Sequence, residues 1–251
     1  MIEVKNVYKS FDGNIVLKDV SATFDPGKTN LIIGQSGSGK TVLLKSIVGL
    51  HQIDTGEIDY DGRSFIGMNE NQRKKVRKEM GMLFQGSALF DSKTVEENVR
   101  FPLDVFTDMS LDERRDQTNK CLERVNLKNV NHLYPAELSG GMQKRVAIAR
   151  AISLNPRYLF CDEPNSGLDP RTAIVIDNLI YEITKEYNMT TVVNTHDMNS
   201  VMGIGEKVIF IVEGEKGWEG TNQDILESDN PRLNDFIYAS RFLKQLRDGH
   251  I

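Results

Sequence analysis

No stretch of this 251-residue sequence approaches the roughly 20 consecutive apolar residues that a membrane-crossing helix requires. The opening residues, MIEVKNVYKSF, carry charge from the third position, so a secretory signal is not expected there. Cysteine is nearly missing. Cys121 and Cys161 stand far apart without metal-ligand spacing, and free thiols in a reducing compartment are expected. A basic excess is also lacking: 31 Lys and Arg face 36 Asp and Glu, for a formal charge of −5. That balance argues against nucleic acid as the main partner. Internal repeats and low-complexity tracts are missing as well. His51, His132 and His250 have no partners at metal spacing, and the run Arg73 to Lys78 reads as a solvated helix face.

What is there is an ordinary globular balance, 39% hydrophobic and 27% charged, at a length suited to one large α/β domain with an inserted subdomain. Residues 2–8 and 15–24 read as strands around a turn at Asp12-Gly13-Asn14. A strand over 29–33 runs into a glycine-rich stretch, and a helix follows through Leu43, Leu44, Ile47 and Val48. A short strand over 57–60, a basic helix over 73–78 and a strand over 81–84 come next. Residues 86–138 change character: loops, then a helix over 111–125, bounded by Pro102 and Pro135. The α/β pattern resumes with a helix burying Met142, Val146, Ala149 and Ile152, a strand over 158–161, a helix over 171–187, and strands over 190–194 and 207–212. Trp218 reads as a hairpin tip. Leu233, Phe236, Ile237 and Leu243 fall at helical spacing in a last segment.

Three motifs carry chemistry. Gly34-Gln35-Ser36-Gly37-Ser38-Gly39-Lys40-Thr41, running on into Val42, sits between a strand and a helix. Glycines there let successive N–H groups turn inward around phosphates, and the helix N-terminus adds a positive dipole. Lys40 would meet the β- and γ-phosphates, and the Thr41 hydroxyl would ligate Mg²⁺. Next, Tyr158-Leu159-Phe160-Cys161-Asp162-Glu163 is an apolar strand ending in two acids. Successive carboxylates repel, so one is expected on the metal (Asp162) and the other on an attacking water (Glu163). Last, Leu138-Ser139-Gly140-Gly141 opens the helix before that strand, a second anion-binding helix start.

In this order the three motifs resemble the ATPases of ABC transporters over nearly the whole chain. The resemblance implies an α/β fold: a P-loop NTPase core of ABC type with an N-terminal antiparallel β subdomain and an inserted helical subdomain. The expected division is a core of 1–85 and 139–230, an insert of 86–138 and a C-terminal helical extension of 231–251. It implies that Gln85 is the Q-loop glutamine, that Ser166 to Asp169 is the D-loop, and that His196 contacts the γ-phosphate. Phe11 takes the place of the aromatic that stacks on adenine, with Tyr8 as rival and core packing open for both. ATP and Mg²⁺ are the implied cofactors. The implied partners are a second copy of the chain, whose Ser139, Gly140 and Gly141 close over the nucleotide, and an integral-membrane permease. The implied location is the cytoplasmic face of the inner membrane.

Within the family, Met80 to Asp91 and Thr94 to Leu103 look like the Mla-type phospholipid transporters, whose partners include MCE-type lipid-binding subunits. Asn165 departs from the usual small or aromatic residue. Amino-acid or osmolyte importers and lipoprotein-releasing systems share every catalytic motif and stay open. A soluble relative acting on DNA or ribosomes would carry coiled-coil or zinc insertions or a second cassette, and a simple P-loop kinase would lack Ser139-Gly140-Gly141.

Overall fold

The computed structural model describes residues 1–238. Along the chain, β1 (Ile2–Phe11), β2 (Asn14–Phe24) and β3 (Thr29–Ile33) precede α1 (Lys40–Ile47), β4 (Thr55–Tyr60), β5 (Arg63–Ser64), α2 (Glu70–Lys78) and β6 (Met80–Leu83). Helices α3 (Val95–Phe106), α4 (Leu111–Arg124) and α5 (Gly140–Ile152) follow, then β7 (Tyr158–Asp162), α6 (Pro170–Glu186) and β8 (Thr190–Asn194). The last elements are α7 (Met198–Ile204), β9 (Lys207–Val212), β10 (Glu215–Gly220) and α8 (Pro231–Ile237). Two compact units result. The first comprises residues 1–25, 29–66 and 194 onward; the second comprises 26–28 and 67–193, and so contains all of 86–138.

The first unit holds an antiparallel sheet in the order β2-β1-β4-β5. Its alternating pattern puts Ile2, Val4, Val7, Leu17, Val20, Phe24 and Ile58 inside, as a half-buried sheet demands. The same unit holds β10, β9 and β3 side by side, β3 and β9 parallel from Asn30↔Lys207 to Ile33↔Phe210. All five residues of β3 are buried, the polar Thr29 and Asn30 as well as Leu31, Ile32 and Ile33. The hairpin tip lies at Glu213-Gly214, not at Trp218. Trp218 sits in β10 paired with Phe210, because the left-handed turn at Glu213 and Gly214 ends β9 earlier. α8 is capped by Asn230, whose side chain accepts from the Leu233 N–H at 3.1 Å, and Pro231 occupies its first turn. Leu233 and Ile237 are buried and Phe236 meets Phe210 with ring centroids 5.5 Å apart, so α8 packs on its own unit. Leu243 lies outside the described residues.

The second unit contains β8, β7 and β6 in that order, β6 and β7 parallel, with α2 to α6 around them. Pro102 does not bound a loop region as expected; it lies inside α3. Thr94 and Glu97 form a capping box there, the Glu97 carboxylate accepting from the Thr94 N–H at 2.8 Å. Buried Asn98 staples the preceding loop, accepting from the Phe90 N–H at 2.8 Å and donating to the carbonyls of Phe90, Lys93 and Thr94. Burial of Val95, Val99 and Leu103 along one face outweighs the single backbone bond that a proline removes. α2 buries only Val76, leaving its basic run on the solvated side, where Glu70 approaches Arg73 and Arg77. α7 also lies where no element was expected, its start capped by Asp197, which accepts from the Asn199 N–H.

Both cysteines are buried free thiols; burial pushes the Cys121 thiol up to about 12 and the Cys161 thiol higher still. Iodoacetamide at pH 8 should therefore leave the native chain unlabelled and modify both on unfolding, as intact mass will show. Leu233→Ala should cost about 2–4 kcal/mol in denaturant titration, since it empties a fully buried site.

Candidate functional site

In the first unit the loop from Gly34 to Gly39 connects β3 to α1. Gly34 has φ 149°, and a Cβ there would stand 2.2 Å from the Ile211 carbonyl oxygen. Glycine is required because backbone passes where a side chain would sit. Gln35, Ser36 and Gly37 are exposed, whereas Ser38, Gly39 and Lys40 are buried. The Gly214 N–H donates to the Ser38 carbonyl at 3.1 Å, so the turn after β9 braces the loop. Lys40 Nζ donates to the carbonyls of Gly34 and Gln35 at 2.8 and 2.9 Å. The loop thus holds an ammonium against its own backbone at the start of a helix.

Thr41 follows on α1, and its hydroxyl oxygen accepts from Asn194 Nδ2 at 3.0 Å. Asn194 is fully buried at the end of β8 and was not singled out from sequence. It closes a strand that already holds Thr190 and Thr191, and nothing along the chain marks it. Val42 lies half-buried on α1. His196 is exposed between β8 and α7. Phe11 is 38% exposed at the end of β1, with the His51 ring edge-on at 5.2 Å and Lys9 Nζ 4.7 Å from its centroid. Burial, then Lys45 and Lys9, push the His51 imidazole below its ordinary value. Tyr8 is equally exposed.

In the second unit β7 is buried throughout and delivers Asp162, itself buried, at its end. Glu163 follows with φ 49°, a left-handed conformation costing about 1–2 kcal/mol in a non-glycine residue. That turn comes directly after the strand ends at Asp162. The loop continues to Asp169, which caps α6 by accepting from the N–H groups of Arg171 and Thr172, both at 3.1 Å. Hydrogen bonds from Thr172 hold its carboxyl below the ordinary range. Asp169 thus fixes the end of this loop to the start of α6.

Ser139 caps α5, its hydroxyl accepting from the Met142 N–H at 3.3 Å. Gly140 and Gly141 form the first turn. A Cβ on Gly141 would stand 2.6 Å from Thr172 Cγ2, so the second glycine lets α5 approach α6. Gln85 is exposed after β6, its amide donating to Ser166 Oγ at 3.3 Å. The second unit thus brings together the Gln85 loop, the start of α5 and the segment after Glu163. Lys144, buried on α5, was given no role from sequence; it stands in the polar run Gln143-Lys144-Arg145, where nothing along the chain marks it as the buried one.

With this geometry in view, comparison with known proteins is direct. The sequence profile described as ABC transporter matches residues 17–166. A methionine import ATP-binding protein of Clostridium acetobutylicum is 42% identical over 214 residues, 85% of this chain and 67% of that protein. A probable ribonucleotide transport ATP-binding protein of Mycobacterium leprae is 34% identical, over 96% of this chain and 69% of that protein. A bacterial ABC transporter cassette solved as a dimer superposes with TM-score 0.81 at 35% identity, covering 88% of this chain and 99% of that one. The same cassette has been solved after hydrolysis, bound to ADP and phosphate (TM-score 0.80, 35% identity, 88% and 99% covered). The chain belongs to the ABC transporter family. It is an ATP-binding subunit and an ATPase, with the P-loop α/β fold of these cassettes.

Gly34→Ala should destabilise the chain by about 2–4 kcal/mol, because the new methyl meets a backbone carbonyl rather than a yielding side chain. Thermal melting without nucleotide checks this, and an unchanged melting temperature contradicts the packing argument.

Proposed function

We propose that this chain binds MgATP at Lys40, Thr41, Asp162 and Gln85 and hydrolyses it to drive a membrane permease. The carrying observation is Lys40, buried and held by two loop carbonyls at a helix N-terminus whose start is lined by backbone N–H groups. The N–H groups of Gly34 to Thr41, with Val42 next on the helix, cradle the phosphates, and Phe11 offers its exposed face to the adenine. Thr41 hydroxyl, Asp162 carboxylate and Gln85 amide are all oxygen donors, the chemistry that suits Mg²⁺. Bound there, the metal would neutralise developing charge on the phosphates. Glu163 takes a proton from the attacking water, and His196 donates to the γ-phosphate as charge develops. A second copy of the chain closes over the nucleotide with Ser139, Gly140 and Gly141, a reading supported by the dimeric relative. Asp169 holds the D-loop at that interface through its cap. The chain then works at the cytoplasmic face of the cell membrane; among the described residues no helix is long and apolar enough to cross it.

The relatives support import of a small solute as the cargo better than lipid movement, the first two of them being named for methionine import. Another at 34% identity is named for ribonucleotide transport, so cargo varies while the cassette does not. A second reading, phospholipid movement with an MCE-type subunit, draws on the likeness of residues 80–91 and 94–103 to the Mla type. In the structure these segments line an open apolar cavity of about 280 Å³ with Phe84, Phe90 and Phe101, a face suited to a permease helix.

Glu163→Gln should keep ATP binding and reduce turnover by about 100-fold or more, accumulating an ATP-bound dimer on size exclusion. Near-normal hydrolysis would remove Glu163 as the base. For the cargo, the complex copurified with its permease should be reconstituted and assayed with methionine and with vesicles of varied phospholipid composition. Methionine-dependent ATPase and uptake supports import; dependence on phospholipid composition with lipid transfer supports the second reading.

A further inference from the structure

We propose that Lys144 and Arg150 are positioning residues, clamping the loop that carries Gln85 to α5, so that the helix beginning at Ser139 sets where the Gln85 side chain points. Lys144 is only 4% exposed, and a buried ammonium must find an acceptor. Its Nζ donates to the backbone carbonyl of Gln85. Six residues further along α5, about 9 Å up the helix axis, Arg150 donates to the carbonyls of Ser87 at 2.8 Å and Ala88 at 2.7 Å. Three charge-assisted bonds thus reach three carbonyls within four residues of one loop.

The loop needs such a hold. Ser87 and Ala88 both have positive φ, 62° and 48°, two consecutive non-glycine residues in left-handed conformation. Such strain persists only where surrounding structure over-determines it. On its other side, Gln85 bonds through its amide to Ser166 Oγ, three residues beyond Glu163. Gln85 is therefore held at its backbone by α5 and at its side chain by the segment after the water-activating carboxylate. Burial lowers the Lys144 ammonium, while the carboxylates of Asp162 and Glu163 oppose that shift, so this cation also lies in the field of the site's acids. A displacement of α5 at Ser139 is carried along a rigid helix to Gln85, which links closure over ATP to the metal ligand. The inference rests on the reading of Gln85 as a ligand of the nucleotide site.

The test compares Lys144→Met, Arg150→Met, Arg150→Lys and Gln85→Ala in the full chain copurified with its permease. Folding is checked by thermal melting, and hydrogen exchange is followed at amides 85–90. Lys144→Met and Arg150→Met should lower kcat by about tenfold with the Kd for ATP changed less than about twofold, and exchange at 85–90 should rise. Arg150→Lys, which keeps a cationic donor, should recover at least about half of the kcat and the protection. Unchanged exchange in both methionine variants overturns the clamp, as does an equal loss in Arg150→Lys and Arg150→Met. A kcat loss matched by an equal loss of ATP binding also overturns it. If Lys144→Met does not fold, the Arg150 pair decides. Normal turnover in Gln85→Ala would instead refute the role of Gln85, and exchange at 85–90 would still decide whether the clamp exists.

Discussion

A polyphosphate is held by main-chain N–H groups that must all turn inward, and no side chain can be placed where that turn brings two backbones together. At Gly34 the chain passes so close to the Ile211 carbonyl that even a methyl is excluded. β9 must therefore lie beside β3 before the loop can close, and the turn after β9 must reach back to brace Ser38. Lys40 then folds over the loop, and Asn194 reaches Thr41 from the end of β8. The Gly34–Gly39 loop and the helix start after it depend on strands that lie 153 residues or more away at the contacts that hold them, and their geometry is a property of that packing.

The second unit solves a different problem, which is to present acids, a glutamine and a helix start from one body. Its currency is conformational strain. Glu163, Ser87 and Ala88 all occupy left-handed backbone without being glycine, and each lies in a segment that carries chemistry or leads into it. One cation on α5, the half-buried Arg150, holds two of these positions through carbonyl oxygens. Neutral packing could bury α5 as well, but it would not fix the direction of a loop whose local preferences run the other way.

The motifs were legible because their chemistry is local. Gly34 to Thr41, Asp162-Glu163 and Ser139-Gly140-Gly141 each need specific residue types within a few positions, and the structure places each at the predicted strand end or helix start. α3 was illegible for a local reason too. Pro102 read as a breaker, whereas the Thr94–Glu97 capping box and the Val95, Val99, Leu103 stripe outweigh it. Asn194 and Lys144 escaped notice because nothing along the chain marks them: Asn194 closes a strand that already holds Thr190 and Thr191, and Lys144 stands beside Gln143 and Arg145. Their importance appears only once Thr41 and the Gln85 loop stand beside them.

Cargo is the least local property of all. Relatives named for methionine import and for ribonucleotide transport match this chain at 42% and 34% identity, so the matched residues do not by themselves single out a cargo. From the sequence alone came the motifs, the family, and most strands and helices, because hydrophobic period and motif spacing are written along the chain. Tertiary structure alone decided that Asp169 caps α6, that α8 packs on its own unit, and that Lys144 and Arg150 grip the Gln85 loop. Those outcomes depend on which distant groups become neighbours, and burial makes each bond obligatory only after the neighbours have met.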